Sequence, residues 1–400
     1  MSGPLEGVRV LDLGTRIAAP FCAGVMGEMG AEVVKIEQPG TGDFMREIGP
    51  FLETDDGDGY SLFWAVEGRG RKSVTLDLRL ERGQELFRRL AAAADVVVEN
   101  FRPGMLEQWH IGPGDLDPKL VIVRISAFGQ DGPYAARPGL DRMGIGYGGL
   151  LQLTGYPDRP PVRVGVTISD YLTGLFSAHA AVAALYARDA RRSGKGAVID
   201  AALYGAPLRI LEWTIPAYDR LGVVREREGN RLANSAPLDN YPTADGKYVC
   251  IVAGSDANFA RLCKAMDRPD LLDDPRFTKL ADRAAHGNGI NGIVTEWTRA
   301  HSAAEIEEAC VACDVPVATA YTAADMFADP HFVARGDVVE VDDPVAGPMR
   351  QQASFPRFAG ETPAAPVGAP RLGEHTREVL SGALGLSDRE LDALQSDGVI

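Results

Sequence analysis

The amino-acid sequence predicts an α/β protein with an open, mostly parallel sheet in a large domain and a smaller α+β domain. Over the first half of the chain, apolar β-branched segments of strand length alternate with segments of helical periodicity, as in repeated βαβ units. Residues 223–234 are instead charged and turn-rich, and a hairpin signature follows them. These changes of pattern predict a sheet domain that is interrupted by a second folding unit.

The predicted strands and helices of the large domain follow one another in regular order. The strands are Val8–Leu13, Ala31–Glu37, Lys72–Leu78, Asp95–Glu99, Leu120–Ile125 and Ala197–Ala201, and the intervening helices include Ala18–Met29 and Glu81–Ala94. Because helices connect successive strands, we expect a Rossmann-like parallel sheet that helices cover on both faces. Ligands of such sheets bind beyond the carboxyl ends of the strands.

The second unit and the C-terminal region have shorter predicted elements. They are the hairpin strands Tyr241–Thr243 and Tyr248–Val252, joined by Ala244–Lys247, the helices Asn258–Met266 and Ala303–Ala312, a strand near Val338–Val341, a Pro-rich stretch at Pro363–Pro370, and two closing helices, the second beginning at the capping box Ser387–Glu390. We therefore predict a large domain over residues 1–222, a linker and small domain over residues 223–325, and a return to the large domain over residues 326–400.

Composition and charge limit the classes of function. With 400 residues, of which 45% are hydrophobic, the chain is long enough to bury a full core. Its formal net charge of −15 argues against nucleic acid and anionic membranes as partners, because both attract basic proteins. No apolar run reaches about 18 residues and the first residues lack signal-peptide features, so we expect a cytoplasmic protein. The lone CxxC pair at Cys310 and Cys313 has no second ligand pair nearby, and no metal site is expected.

The segment most suggestive of chemistry is Val162–Gly174. Its β-branched residues predict a strand that ends at Ser169 and Asp170, followed by a helix over Leu172–Arg188. A carboxylate at this junction would face the helix N-terminus, whose N–H groups and dipole favour the ionised form and stabilise a second developing negative charge. Asp170 is therefore a candidate anionic nucleophile, and a plain helix cap at Ser169 or Asp170 is the alternative interpretation.

Seven segments together carry a resemblance that runs from end to end of the chain. They are Gly7–Leu13, Gly27–Asp43, Arg71–Arg79, Val98–Gly104, Ile125–Tyr134, Asp274–Phe277 and Gly398–Ile400. In these segments the sequence resembles the class III CoA-transferases, the CaiB/BaiF family. The resemblance implies an open α/β large domain, a small domain inserted through linkers, and a homodimer of two chains interlocked like linked rings. It implies acyl-CoA thioesters and carboxylic acids as substrates, with no permanently bound cofactor and neither a nucleic-acid nor a membrane partner.

Asp170 matches the catalytic aspartate of this family. The resemblance implies that its carboxylate attacks the donor acyl-CoA, often succinyl-CoA, to form a mixed anhydride and then an aspartyl-CoA thioester that the acceptor carboxylate receives. Backbone N–H groups near the helix start are expected to stabilise the oxyanions. The resemblance also assigns CoA binding to Ile17, Ala18, Leu76, Arg79, Asn100, Phe101 and Arg102, with the two arginines suited to phosphate groups.

The sequence departs from some family members at several positions. Pro39 and Gln108 stand where some relatives carry phosphate-binding arginines, and Ile145 replaces a common glutamine. The segment Asn230–Asp239 lacks the glycine run of formyl-CoA:oxalate relatives. These departures leave the phosphate contacts open and disfavour oxalate as the acceptor.

Three alternatives remain open at this point. A 2-methylacyl-CoA racemase of the same superfamily would need a histidine at Leu140, where no proton can be exchanged. An NAD-type oxidoreductase would need a glycine fingerprint in the turn Leu13–Ile17, and the GxGxxG at Gly144–Gly149 follows no predicted strand. A non-catalytic acyl-CoA binding protein would retain binding but have no activity for Asp170 to support.

Overall fold

A computed structural model of the chain describes residues 3–54, 57, 59–360 and 366–400. The chain forms two compact units. The first comprises Met1–Leu150, Val164–Ile215 and Val333–Ile400, and the second comprises Leu151–Arg163 and Pro216–Phe332. The second unit thus includes residues 151–163, which the sequence placed in the large domain, and the predicted domain boundaries stay a prediction.

The strands and helices have the following bounds. The strands are β1 (Arg9–Asp12), β2 (Glu32–Glu37), β3 (Phe51–Leu52), β4 (Tyr60–Ser61), β5 (Lys72–Thr75), β6 (Val96–Glu99), β7 (Val121–Ser126), β8 (Ala197–Ala202), β9 (Leu238–Pro242), β10 (Tyr248–Val252), β11 (Val317–Thr319), β12 (Val338–Asp343) and β13 (Gly347–Gln352). The helices are α1 (Ala18–Glu28), α2 (Leu62–Glu67), α3 (Glu81–Ala91), α4 (Met105–Gln108), α5 (Asp141–Tyr147), α6 (Leu150–Leu153), α7 (Ile168–Asp189), α8 (Gly205–Arg209), α9 (Thr214–Leu221), α10 (Asp256–Ala265), α11 (Leu280–Ala285), α12 (Gly287–Arg299), α13 (Ala303–Ala312), α14 (Ala323–Ala328), α15 (Pro330–Arg335), α16 (Thr376–Leu384) and α17 (Asp388–Ser396). Short 3₁₀ helices lie at Phe44–Glu47 and Pro269–Leu272.

Six strands form the large sheet of the first unit, in the order β5-β2-β1-β6-β7-β8. Every pairing between them is parallel. Numbered along the chain, these strands follow the 3-2-1-4-5-6 order of doubly wound folds, in which ligands bind beyond the carboxyl ends of the strands where the order reverses. The predicted parallel α/β sheet is confirmed, and its switch point lies between β1 and β6.

Alternate residues of the central strands supply two separate cores. Val10 and Val96 join the core shared with α1 and α7, whereas Leu11 and Val97 join the core shared with α3, α16 and α17. Successive side chains of a strand point to opposite faces, so a strand that is apolar at every position fits a sheet that helices cover on both sides. The continuous apolar runs seen in the sequence have this origin.

The strand predicted over Val162–Ile168 is not formed. This segment is irregular, and α7 begins at Ile168. Val162 and Val166 are 54% and 55% exposed, and Val162 N donates to Thr154 O outside any sheet. β-Branched residues favour a strand only where a neighbouring strand and a core receive them, and this segment meets neither. The prediction was wrong here, and Asp170 consequently lies inside a helix.

The second unit contains the antiparallel sheet β11-β10-β9. β9 and β10 form the predicted hairpin, with Val249 opposite Tyr241. The predicted helices near these strands are present as α10 and α13, and they contribute Phe259 and Ile306 to the core of this unit.

The C-terminal segment returns to the first unit. There β12 and β13 form an antiparallel pair, and α16 and α17 contribute to the core that lies on one face of the large sheet. The predicted capping box is confirmed, because Ser387 Oγ accepts from Glu390 N and the Glu390 carboxylate accepts from Ser387 N at 2.8 Å. Residues 363–365 of the predicted Pro-rich stretch lie outside the described residues. None of the helices within the described ranges is both long enough and apolar enough to cross a membrane.

Candidate active site

The loop between β1 and α1 lies at the switch point of the sheet. Its first turn is fixed by Asp12 Oδ1, which accepts from Gly14 N at 2.9 Å. Thr15 and Asn100 then exchange two hydrogen bonds: Thr15 N donates to Asn100 Oδ1 at 2.9 Å, and Asn100 Nδ2 donates to Thr15 O at 2.8 Å. Predicted site residue Asn100 therefore joins the loops that follow the two central strands, β1 and β6.

Buried charges lie directly under this loop. The ammonium group of Lys35 is fully buried, donates to Gly14 O, and forms ion pairs with Asp43 at 2.9 Å and Asp12 at 3.4 Å. Arg71 pairs with Asp12 at 2.9 Å and donates to Pro20 O at 2.6 Å. Burial alone would lower the pKa of Lys35, but the carboxylates of Asp12 and Asp43 outweigh it and raise that pKa above its usual range. The loop is thus held by paired charges.

The other side of the loop is held by Asp43. Its Oδ1 accepts from Arg16 N at 3.1 Å, Thr15 Oγ1 at 3.3 Å and Met45 N at 2.9 Å. Arg16 adopts a left-handed backbone conformation with φ of 69°, which is uncommon for a residue with a side chain. Its guanidinium carbon lies 4.0 Å from the centre of the Phe44 ring. The side chain of Arg16 therefore has a defined position at the start of α1.

The first turn of α7 brings Asp170 to the same end of the sheet. The N-cap residue is Thr167, so Asp170 is the third residue of the helix and the cap interpretation is wrong. α7 packs closely on the first turn of α1, since a Cβ at Gly174 would lie 2.7 Å from Ala18 O. The rings of Phe21 and Tyr171 meet edge to face at 4.8 Å. Asp170 therefore lies beside the loop that carries Arg16.

Helix α5 supports this turn from the opposite side. Ser169 N donates to Asp141 Oδ1 at 2.8 Å, and Ser169 Oγ donates to Leu203 O at 2.6 Å. A Cβ at Gly144 would lie 2.2 Å from Ser169 Oγ, so this position requires glycine. The GxGxxG sequence thus serves packing: Gly144 lies within a helix and follows no strand, contrary to a dinucleotide fingerprint.

The environment of Asp170 changes the expectation about its charge. Its carboxylate accepts no hydrogen bond from any residue that the structure describes. Burial, and next the carboxylate of Asp141, raise the pKa of Asp170 to about 7, although Arg16 acts in the opposite direction. The expected preference for the ionised form was wrong, because these two effects exceed any contribution of the helix N-terminus. The N–H of Ser169 is already bonded to Asp141 and is not a free oxyanion donor.

A cavity of about 230 Å³ opens at the carboxyl ends of β1, β2 and β5. Its lining includes three of the residues predicted to bind CoA, namely Leu76, Arg79 and Phe101. Arg79 pairs with Asp77 through two hydrogen bonds of 2.9 and 2.5 Å, and its side chain is 59% exposed. The structure therefore brings these three residues together beside the switch point.

The other residues predicted to bind CoA are not part of the lining of this cavity. Ile17 and Ala18 are buried, and the backbone carbonyl of Ile17 accepts from Phe21 N at 2.7 Å. Arg102 is exposed and forms no ion pair with any residue in the part of the chain that the structure describes. Sequence reasoning missed Trp109, which lines the cavity and meets Phe101 edge to face at 5.1 Å. The available signal was an aromatic residue five positions after the segment Val98–Gly104.

Comparison with known proteins identifies the family. The family model "CoA-transferase family III" matches residues 5–376. The chain is 42% identical to a succinyl-CoA–D-citramalate CoA-transferase of Chloroflexus aurantiacus, over 99% of this chain and 98% of the relative. It is 34% identical to a succinyl-CoA:mesaconate CoA-transferase of Haloarcula marismortui, over 95% and 96% of the two chains.

A solved structure agrees with these sequence matches. The crystal structure of a CAIB/BAIF family protein from Brucella suis superposes with a TM-score of 0.86 at 34% identity, covering 96% of this chain and 100% of that one. The racemase, dinucleotide-binding and non-catalytic alternatives are not supported by any of these likenesses. The chain therefore belongs to CoA-transferase family III, the CaiB/BaiF family, and is a CoA-transferase.

Proposed function

We propose that this enzyme moves CoA reversibly from succinyl-CoA to a second dicarboxylic acid, with Asp170 as the nucleophile. The observation that carries the proposal is the position of Asp170, an unbonded and largely buried carboxylate beside the switch-point loop. The relatives named above transfer CoA from succinyl-CoA to citramalate or mesaconate, which are dicarboxylic acids. Others of 40% and 35% identity use malate and glutarate.

The reaction proceeds by exchange at two carbonyl carbons. A carboxylate oxygen of Asp170 attacks the thioester carbonyl, the C–S bond breaks, and a mixed anhydride and CoA thiolate form. The thiolate attacks the side-chain carbonyl of Asp170 and expels succinate, which leaves an aspartyl-CoA thioester. The acceptor carboxylate attacks that carbonyl and expels the thiolate, which then attacks the acceptor's acyl carbon and regenerates Asp170. Each step conserves charge and needs no external oxidant or base once Asp170 is ionised.

The remaining predicted residues have roles in holding CoA. Arg79, which lines the cavity, and Arg102, which follows Phe101 in the chain, are suited to phosphate groups because both side chains are exposed. Phe101 and Leu76 offer apolar contact to the adenine or the pantetheine arm, and Asn100 keeps the loop in place through its bonds with Thr15. Backbone groups of Ile17 and Ala18 complete this set. No permanently bound cofactor is part of the proposal.

An interlocked homodimer is also proposed. Large apolar side chains are exposed along α7, β8 and α8, and β8 is an edge strand of the large sheet. They include Leu175, Phe176, Val198 and Leu208, which are 40–56% exposed. The buried hydroxyls of Thr173 and Ser177 line a cavity of about 280 Å³ there without a partner among the described residues. A second copy of the chain would cover this surface, and a monomeric mass in solution would contradict the proposal. The cytoplasmic location stays a prediction.

The chemistry is tested by trapping the acylated enzyme. Brief mixing with succinyl-CoA, followed by hydroxylamine, should convert Asp170 to a hydroxamate that peptide mass spectrometry locates. Asp170→Asn should lose the label and reduce transfer by on the order of 10⁴-fold or more. Asp189→Asn, at the exposed far end of the same helix, is the matched control and should keep both. Labelling at another residue, or full turnover in Asp170→Asn, would exclude this mechanism.

A further inference from the structure

Arg16 differs from three neighbouring cations at this end of the sheet. Lys35, Arg46 and Arg71 each form an ion pair with a buried carboxylate. Arg16 is only partly buried, and its guanidinium forms no ion pair within the described ranges but lies over the face of the Phe44 ring. A stacked guanidinium keeps its N–H edges available, and these edges match the geometry of a carboxylate.

The position of this guanidinium relative to Asp170 follows from the packing of two helices. Arg16 immediately precedes α1, and Asp170 lies in the first turn of α7, which contacts the first turn of α1 through Gly174 and Tyr171. Arg16 acts electrostatically on Asp170, yet the two groups are too far apart to form an ion pair. The guanidinium of Arg16 thus lies within electrostatic range of the candidate nucleophile and is not paired with it.

We propose that Arg16 binds the distal carboxylate of the dicarboxylyl group while the thioester carbonyl lies at Asp170. This inference rests on the proposed function. A succinyl group carries its free carboxylate two methylene groups away from the reacting carbonyl. Its carboxylate can therefore meet Arg16 while its carbonyl meets Asp170. In a chain with a net charge of −15, a dianionic acid needs a local cation of this kind. Arg16 thereby selects dicarboxylyl over monocarboxylyl substrates.

The test compares two thioesters of equal length in the Arg16→Met variant. Butyryl-CoA has a methyl group where succinyl-CoA has its free carboxylate. For both thioesters, the second-order rate constant of Asp170 labelling is measured at pH 9, which lies well above the pKa of about 7 of Asp170. The ratio of succinyl-CoA to butyryl-CoA should fall by roughly 10- to 100-fold, because a charge-assisted hydrogen bond pair is lost. Arg16→Lys should restore part of the ratio, and Arg82→Met, on the surface of α3, should leave it unchanged.

The possible outcomes separate this inference from the mechanism on which it rests. An unchanged ratio in Arg16→Met overturns the role of Arg16 while Asp170 labelling stands. An equal loss with both thioesters also overturns it, because Arg16 would then act on CoA or on the ionisation of Asp170. If wild-type protein is labelled by neither thioester, the failure belongs to the proposed function.

Discussion

Two carboxylates at the carboxyl end of the large sheet, Asp43 and Asp170, lie in regions with opposite surroundings. Under the switch-point loop, Asp43 is buried against Lys35. Burial would raise the pKa of Asp43, but Lys35 and the N–H of Met45 outweigh it and hold that pKa below its usual range. Beside the loop, Asp170 has the carboxylate of Asp141 as its neighbour, and burial together with that charge raises its pKa to about 7.

The difference shows that burial alone does not decide whether a carboxylate is ionised. At Asp43 a cation within ion-pair distance reverses the effect of burial, whereas at Asp170 a second carboxylate adds to it. The oxygen atoms of Asp43 are engaged in structural contacts. One of them, Oδ1, accepts hydrogen bonds from Arg16 N, Thr15 Oγ1 and Met45 N. Asp170 keeps its oxygen atoms free. The first arrangement builds structure, and the second leaves a reactive group available.

Removing the cation from the paired region should give the largest change in stability. Lys35→Met leaves Asp12 and Asp43 buried beside an apolar side chain, and we expect a loss of about 3–5 kcal/mol in the free energy of unfolding. Urea unfolding measures it. Lys72→Met, on the neighbouring strand β5 but partly exposed, should change stability by only about 1 kcal/mol or less. A loss for Lys35→Met no greater than that of Lys72→Met would show that the buried cluster does not stabilise the fold.

The sequence predicts these two regions unequally. The strands that carry Asp12 and Lys35 follow from local apolar runs, and the order of the parallel sheet follows from the helices between them. That Lys35 is a buried cation does not follow, because its partner Asp43 comes from a separate loop. The strand before Asp170 was predicted from β-branched residues, of which Val162 and Val166 are in fact exposed. Local pattern thus identifies elements, whereas long-range contacts decide burial and charge.

Removing the charge from the unpaired region should have the opposite effect on stability. Because the pKa of Asp170 is raised in the folded state, the contribution of Asp170 to the stability of wild-type protein falls as pH rises from about 4 to 7. Asp170→Asn carries no charge there, so it should be more stable than wild type by about 2–4 kcal/mol at pH 8.5 and by progressively less toward pH 4. Urea unfolding at several pH values measures this.

The control for this prediction lies on the same helix. Asp189 is exposed and paired with Arg188, whose hydrogen bond lowers the pKa of Asp189. Asp189→Asn should therefore lose a little stability at pH 8.5, which is the opposite sign. If Asp170→Asn also loses stability at pH 8.5, Asp170 is stabilised by its ionised form and the contrast between the two regions does not hold.

The smallest expected effect separates the two causes of the raised pKa. Only ionised Asp170 attacks a thioester, so the labelling rate of wild-type protein should rise with pH around a midpoint near 7. Asp141→Asn removes the neighbouring charge while its amide oxygen still accepts from Ser169 N, so the midpoint should fall by about one pH unit. Labelling at pH 6 should then be several-fold faster than in wild type, with equal rates at pH 9. An unchanged midpoint would mean that burial alone raises the pKa, and a lower rate at every pH would mean that Asp141 is needed to position the first turn of α7.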